Sequence, residues 1–146
     1  FPPYNVVDTG LCFLNYNTLN NVVTFPTAPN GNYYLIIDHR NALQTWSSVP
    51  VAISSTIPSF YDFTSANSQS YGDNMILNGT RWCLYSGDVN RDGTIDATDL
   101  NLIDNDVFYG ALGYSGTDLN SDAFTDGTDI SIVDPNVVNG VNYIAP

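Results

Sequence analysis

The chain has 146 residues with no lysine and no glutamate, and its only cationic side chains are Arg40, Arg81 and Arg91. With a net charge of −12 it lacks the basic patch that nucleic acids and anionic membrane surfaces require. Lysine chemistry is excluded, and a histidine triad or a multi-histidine metal site would depend on His39 alone. No apolar run approaches the roughly 20 residues of a membrane span. These absences predict a protein that is not an enzyme, binds no nucleic acid and does not insert into a membrane.

The negative charge is concentrated in the second part of the chain. Residues 1–87 hold four aspartates and two arginines, a net charge of −2, whereas residues 88–146 hold eleven aspartates and one arginine, a net charge of −10. A folded region of such charge repels itself unless a cation offsets it. Because lysine and arginine do not supply that charge, a metal ion is the natural candidate. The charge division predicts two domains, residues 1–86 and residues 87–146.

The first domain reads as a β-sandwich. Short runs rich in β-branched and aromatic residues are separated by Pro, Gly and Asn turn signals about 8–12 residues apart, which is typical of that fold. The predicted strands are 11–14, 22–25, 33–38, 49–53, 60–63 and 82–85. The chain begins without Met, which predicts a processed form or a piece of a longer protein.

A twelve-residue pattern at 88–99, the first loop, recurs at 118–129, the second loop, with an offset of 30 residues. Positions 1, 3, 5, 9, 11 and 12 are identical: Asp, Asn, Asp, Asp, Thr and Asp. Side-chain oxygens at alternate positions, a carbonyl at position 7 and a carboxylate at position 12 supply the oxygen ligands that Ca²⁺ takes. Apolar residues at helical spacing follow each loop, at 100, 103, 107 and 108 and again at 130, 133, 137 and 138. Pro135 is predicted to kink or restart the second helix.

Two tandem loops of this kind, each followed by a helix and ending in Asp instead of Glu, resemble a dockerin module over residues 87–140. The resemblance implies two Ca²⁺ ions. It assigns the first ion to Asp88, Asn90, Asp92, the carbonyl of Thr94, Asp96 and Asp99, and the second to Asp118, Asn120, Asp122, the carbonyl of Phe124, Asp126 and Asp129. The second loop departs from the family at Ala123, where Gly is usual, and at Thr125, where an aliphatic residue is usual. We therefore expect the second loop to bind calcium less tightly.

A wider resemblance covers most of the chain. Residues 24–37 look like the central hairpin of transthyretin-like or carboxypeptidase-regulatory β-sandwich modules. The motifs 33–35 (YYL), 39–41 (HRN) and 45–47 (TWS), followed by paired loops, are similar to C-terminal modules of large secreted proteins of the Bacteroidetes–Chlorobi kind. This resemblance implies a mainly β, extracellular or cell-surface protein.

Two functions follow from these resemblances. Such a sandwich normally has one or two further strands before residue 1, so either the chain is a fragment or an identical subunit supplies a strand to the open sheet edge. Strand addition from residues 1–7 or 141–146 would build a calcium-stabilised filament or surface layer. The alternative is an anchoring module that binds a cohesin-like receptor or a polysaccharide.

Four smaller features each have two interpretations. Cys12 and Cys83 form a disulfide, as is usual outside the cell, or remain buried thiols. The turn around His39 is a ligand site, or a strand end in which Arg40 pairs with Asp38 or with a loop carbonyl. Trp46 and Trp82 stack on sugars or fill a core. The sequence Asn-Gly-Thr at 78–80 is a glycosylation site or a hairpin turn.

Overall fold

The computed structural model describes residues 5–15 and 17–146. In these residues six short strands form three separate antiparallel pairs, and two helices follow them. The pairs are β1 (Gly31–Tyr33) with β4 (Val51–Ile53), β2 (Ile36–His39) with β3 (Ala42–Trp46), and β5 (Ile76–Asn78) with β6 (Arg81–Cys83). The helices are α1 (Ala97–Tyr109) and α2 (Gly127–Asn139). Two 3-10 turns, Asn67–Gln69 and Tyr71–Asp73, lie between β4 and β5.

The described residues form open two-stranded sheets and no β-sandwich. Three of the predicted strands, at 11–14, 22–25 and 60–63, are irregular, whereas β3 and β5 had not been predicted. The irregular segments expose their apolar side chains: Leu11, Phe13 and Val22 are 88, 82 and 83% exposed. Strand propensity depends on packing against neighbouring strands and on burial. These segments have the residue types of strands without the surface that would bury them.

Contacts divide the chain into two compact units. The first unit contains the described residues up to Tyr33 and Pro50–Tyr61, and the second unit contains Tyr34–Val49 and Asp62–Pro146. The hairpin β2–β3 and residues 62–86 therefore belong to the same unit as the two loops. The predicted domain boundary between residues 86 and 87 does not coincide with this division.

The core of the second unit joins the hairpin to the helices. Its fully buried members are Leu43 of β3, Ile95 of the first loop, Ile103 of α1 and Val133 of α2. Ile103 and Val133 belong to the apolar faces predicted from the sequence, and residues 100, 107, 130 and 137 of those faces pack against the core. The faces are wrong at Phe108 and Val138, which are 81 and 78% exposed. Leu43 adds a side chain from a strand that lies more than forty residues before the first loop.

Each helix begins and ends on a signal that is local to the sequence. Asp96 and Asp126 cap the N-termini, and in each case the carboxylate three residues later accepts from the N–H of the cap. Gly110 and Gly140 end the helices with φ of 65° and 60°. Of the two effects predicted for Pro135, the restart is wrong, since α2 continues through this residue to Asn139, and the kink stays a prediction. Neither helix of the described residues has the length and apolar character that a membrane crossing requires.

Candidate metal centre

The carboxylate at position 12 of each loop accepts hydrogen bonds from backbone N–H groups of the same loop. Asp99 is fully buried in the first turn of α1. Its Oδ1 accepts from the N–H groups of Val89 (2.9 Å) and Asn90 (3.1 Å), and its Oδ2 accepts from the N–H of Asp96 (3.1 Å). Asp129, also fully buried, repeats these contacts with Leu119 (2.7 Å), Asn120 (3.2 Å) and Asp126 (2.9 Å). The repeat in the sequence is therefore a repeat in three dimensions.

The first carboxylate of each loop is buried as well. Asp88 is 3% exposed; its Oδ2 accepts from the N–H of Gly93 (3.2 Å), while its Oδ1 is buried without a hydrogen-bond partner. Burial raises the pKa of Asp88, and the negative charges of Asp99 and then Asp92 add to the rise. An ionised carboxylate buried beside another one is costly unless a cation compensates it. This unpartnered oxygen fits a bound cation.

The middle of each loop is folded by its own side chains. Asn90 Oδ1 accepts from the N–H of Asp92 (2.8 Å), and Asp92 Oδ1 accepts from the N–H of Thr94 (2.9 Å). In the second loop the N–H of Asp122 donates to Asn120 Oδ1 and that of Phe124 to Asp122 Oδ1, each at 2.9 Å. Tight turns of this kind bring alternate side chains to one side of the loop, as an oxygen-coordinated ion requires.

The position-9 carboxylates serve first as helix caps. Asp96 Oδ1 accepts from the hydroxyl (2.6 Å) and the N–H (2.7 Å) of Thr98, and these two hydrogen bonds lower the pKa of Asp96. Asp126 has the same arrangement with Thr128 and the same direction of pKa shift. Asp126 is exposed and Asp96 is half-buried.

In the part of the chain that the structure describes, no three His, Cys, Asp or Glu side chains converge as a metal cluster. The residue types of each loop nevertheless fit a hard cation: four carboxylates, one amide oxygen and one backbone carbonyl, without sulfur or imidazole. The fit depends on the buried carboxylates and above all on the unpartnered Asp88 Oδ1.

Ala123 stands at the position of the second loop where glycine is usual. The residue that packs against this position also differs between the two loops. Gly93 has φ of 90°, and a β-carbon there would lie 2.6 Å from Cδ1 of Tyr143. Ala123 has φ of 71°, and the residue equivalent to Tyr143, thirty positions earlier, is Gly113. The backbone contacts match: the N–H of Tyr143 donates to the carbonyl of Gly93 (2.9 Å), and that of Gly113 to the carbonyl of Ala123 (2.8 Å). The first loop pairs Gly93 with Tyr143, and the second loop pairs Ala123 with Gly113, so the glycine and the larger residue have exchanged positions. The two sequence repeats show this exchange when they are aligned at their offset of 30 residues.

This exchange predicts opposite effects of two substitutions. Ala123→Gly relieves about 1 kcal/mol of backbone strain and tightens calcium binding in the second loop. Gly93→Ala adds the strain and also a clash with the Tyr143 ring, so it is the more damaging change. Thermal unfolding and calcium calorimetry measure both effects. Gly110→Ala is the matched control, because its φ is also positive but a β-carbon there meets open space. A Gly93→Ala variant as stable as Gly110→Ala contradicts the role of Tyr143.

Thr125 replaces an aliphatic residue because the second loop has a polar interior beside it. The Thr125 hydroxyl lies 3.1 Å from that of Thr117 and 3.2 Å from that of Ser115. Thr117 Oγ1 in turn donates to Asp106 Oδ2 at 2.5 Å. Thr125 is buried, and this network satisfies its hydroxyl. The equivalent Ile95 lies in the apolar core.

The turn containing His39 lies at a strand end, which agrees with the second of its two interpretations. Arg40 Nη2 donates to the carbonyl of Asp118 (3.1 Å), and Asp38 pairs with Arg91. Of the two partners considered for Arg40, the structure has the loop carbonyl.

The other sequence features have simple places in the structure. Trp46 is buried, with its ring edge-on to Tyr34 at 6.3 Å, which agrees with a packing role. Asn78 ends β5, where it pairs with Arg81, and Gly79, with φ of 62°, begins the two-residue turn to β6. Cys12 and Cys83 are free thiols in this structure. Their disulfide stays a prediction that thiol titration of the denatured, unreduced chain can test.

Comparison of the chain with protein-family models, with curated proteins and with solved structures finds no match.

Proposed function

We propose that this chain is a non-enzymatic, extracellular, calcium-binding structural protein. The observation that carries the proposal is the burial of two carboxylates in each loop, with one oxygen of Asp88 left without a partner. The first ion would be held by Asp88, Asn90, Asp92, Thr94, Asp96 and Asp99, and the second by Asp118, Asn120, Asp122, Phe124, Asp126 and Asp129. Each set carries four negative charges, so two Ca²⁺ ions reduce the net charge from −12 to −8. Calcium supplies the positive charge that the arginines do not.

A structural role is favoured over a catalytic one by the ligand chemistry. Six protein oxygens around one ion leave little room for the open coordination position that metal catalysis uses. Ca²⁺ bound in such a loop stabilises the fold around it, because metal binding and folding are coupled.

We further propose that the chain assembles with identical copies by strand addition. In the first unit, irregular segments expose apolar side chains such as Leu11, Phe13 and Val22, and the sheet β1–β4 has only two strands. A strand from a neighbouring copy would bury such side chains, complete the sandwich that the sequence predicts, and extend head to tail into a filament.

The two candidate donor segments differ in availability. In residues 141–146, the carbonyl of Val141 accepts from the N–H of Ile95 (2.8 Å), and the N–H of Tyr143 donates to Gly93 (2.9 Å). The C-terminal segment is therefore occupied within its own unit. This favours residues 1–7 as the donor, of which 1–4 lie outside the described residues.

The alternative proposal is an anchoring module for a cohesin-like receptor or a polysaccharide. Its support is an exposed apolar cluster at the end of α1, where Phe108 and Tyr109 are 81 and 79% exposed and Leu112 pairs with Phe124 of the second loop. Apolar clusters of this kind mark interaction sites.

Light scattering after size-exclusion chromatography separates the two proposals. With calcium at micromolar protein, we expect species of high mass that a chelator returns to monomers, because calcium keeps the second unit folded. Phe13→Asp should block assembly, whereas the matched Phe108→Asp, equally exposed, should not. A chain that stays monomeric with calcium refutes the filament and favours the anchoring module. Loss of assembly in Phe108→Asp alone contradicts strand addition at the first unit.

A further inference from the structure

The β2–β3 turn, residues 38–41, contacts the same position of both loops. Asp38 Oδ2 accepts from Nη2 of Arg91, at position 4 of the first loop (2.5 Å). Arg40 Nη2 donates to Oγ of Ser121, at position 4 of the second loop (3.1 Å). Arg91 and Ser121 both have left-handed backbones, with φ of 62° and 63°. The turn therefore holds the equivalent bend of each repeat.

The turn also fixes the first residue of the second loop. Arg40 Nη2 and Asn41 Nδ2 both donate to the carbonyl of Asp118, at 3.1 and 3.0 Å. Asn41 and Asp118 are buried, and the Arg40 guanidinium lies 3.7 Å from the centre of the Tyr114 ring. These contacts set the position of the backbone that carries a predicted ligand.

Asn41 connects this contact to the entrance of the first loop. Its carbonyl accepts from the N–H of Gly87, the residue before Asp88, at 2.8 Å. The next backbone contact, from the N–H of Leu43 to the carbonyl of Tyr85, is also 2.8 Å, and Leu43 lies in the core. A movement of the turn would therefore shift the first residue of each loop, Asp88 and Asp118.

The positive charge of Arg40 does not itself favour calcium binding, so its role must be to position other residues. A fixed positive charge beside a loop of four aspartates opposes the approach of Ca²⁺ by simple Coulomb repulsion. If charge alone decided, the second loop would bind calcium better without Arg40. Any support that Arg40 gives to calcium binding must therefore come from holding Asp118 and Ser121.

We propose that the 38–41 turn is a positioning element that couples the two loops, so that calcium bound in one loop favours the arrangement that the other needs. The proposal rests on the proposed calcium binding and adds its regulation. By linkage, calcium in either loop stabilises the turn, and the turn stabilises both calcium-bound loops.

The test is Arg40→Gln in the full chain, titrated with Ca²⁺ and followed by the amide resonances of Gly93 and Ala123, one reporter in each loop. We expect the dissociation constant of the second loop to rise about tenfold and that of the first loop to rise less, within the range of typical coupling. Arg81→Gln is the control, because it removes the same charge from an exposed residue that contacts Thr64 and neither loop. It should leave both affinities almost unchanged.

The outcomes distinguish this proposal from calcium binding itself. Unchanged or tighter binding in the second loop of Arg40→Gln overturns the positioning role while calcium binding stands. An unaltered chain that binds no calcium refutes the proposed function, and the coupling with it.

If Arg40→Gln does not fold in saturating calcium, Arg40→Lys is measured in the same way. This variant keeps the charge but loses the planar group that contacts Asp118, Ser121 and Tyr114. Weaker calcium binding in the second loop is therefore again expected. Amide exchange gives an independent measure, since calcium should protect the N–H groups of Leu43 and Gly87.

Discussion

Removal of calcium should lower the midpoint of thermal unfolding by about 20 °C. Free calcium at a hundred times the dissociation constant stabilises a site by about 2.7 kcal/mol, so two sites contribute about 5 kcal/mol. In a chain of this size, 1 kcal/mol corresponds to about 4 °C. The physical cause is the burial of two negative carboxylates in each loop, Asp88 with Asp99 and Asp118 with Asp129, whose mutual repulsion a cation offsets.

Circular dichroism melts in calcium and in chelator measure this change, and calorimetry should count two ions. Asp99→Asn removes a buried position-12 carboxylate and should abolish the contribution of the first loop. Asp104→Asn, an exposed residue of the same helix, removes the same charge and should keep the calcium response. A midpoint that ignores millimolar calcium would remove the basis of the proposed function.

Leu43→Ala should destabilise the second unit by about 3 kcal/mol and weaken its response to calcium. The cost of truncating a fully buried leucine is typically 2–5 kcal/mol, because the lost packing adds to the lost burial. Leu43 packs with Ile95, Ile103 and Val133, so its loss affects the loops and helices although it lies on β3.

The matched control is Leu77→Ala on β5, where the leucine is exposed and the cost should be small. Urea unfolding with and without calcium measures both variants. If Leu43→Ala left the calcium-dependent transition unchanged, the hairpin would be independent of the loops, and the boundary predicted between residues 86 and 87 would describe the folding units.

The loops and helices could be predicted because their determinants are local. The ligand pattern, the caps Asp96 and Asp126 and the apolar helix faces all lie within short windows, and a second copy thirty residues later supports each of them. The departure at Ala123 is different, because the contact of Gly93 with Tyr143, fifty residues away, came from the structure. Residues that interact within a few positions of one another leave a pattern that a single sequence displays.

The strands were harder because pairing depends on distant partners. The segments 11–14 and 22–25 have strand composition and form no strands, while β3 and β5 form without having been predicted. Strand formation is decided by which surfaces are buried together. Composition near one residue does not contain that information.

By itself the sequence determined the acidic second half, the two loops with their oxygen-bearing residues, and the helices that follow them. Only the tertiary structure decided that the β2–β3 hairpin belongs to the same unit, that Leu43 completes its core, and that Arg40 and Asn41 hold Asp118 from nearly eighty residues away. The reason is that a loop is specified by hydrogen bonds between near neighbours, whereas the partner of a buried face is chosen by the packing of the whole chain.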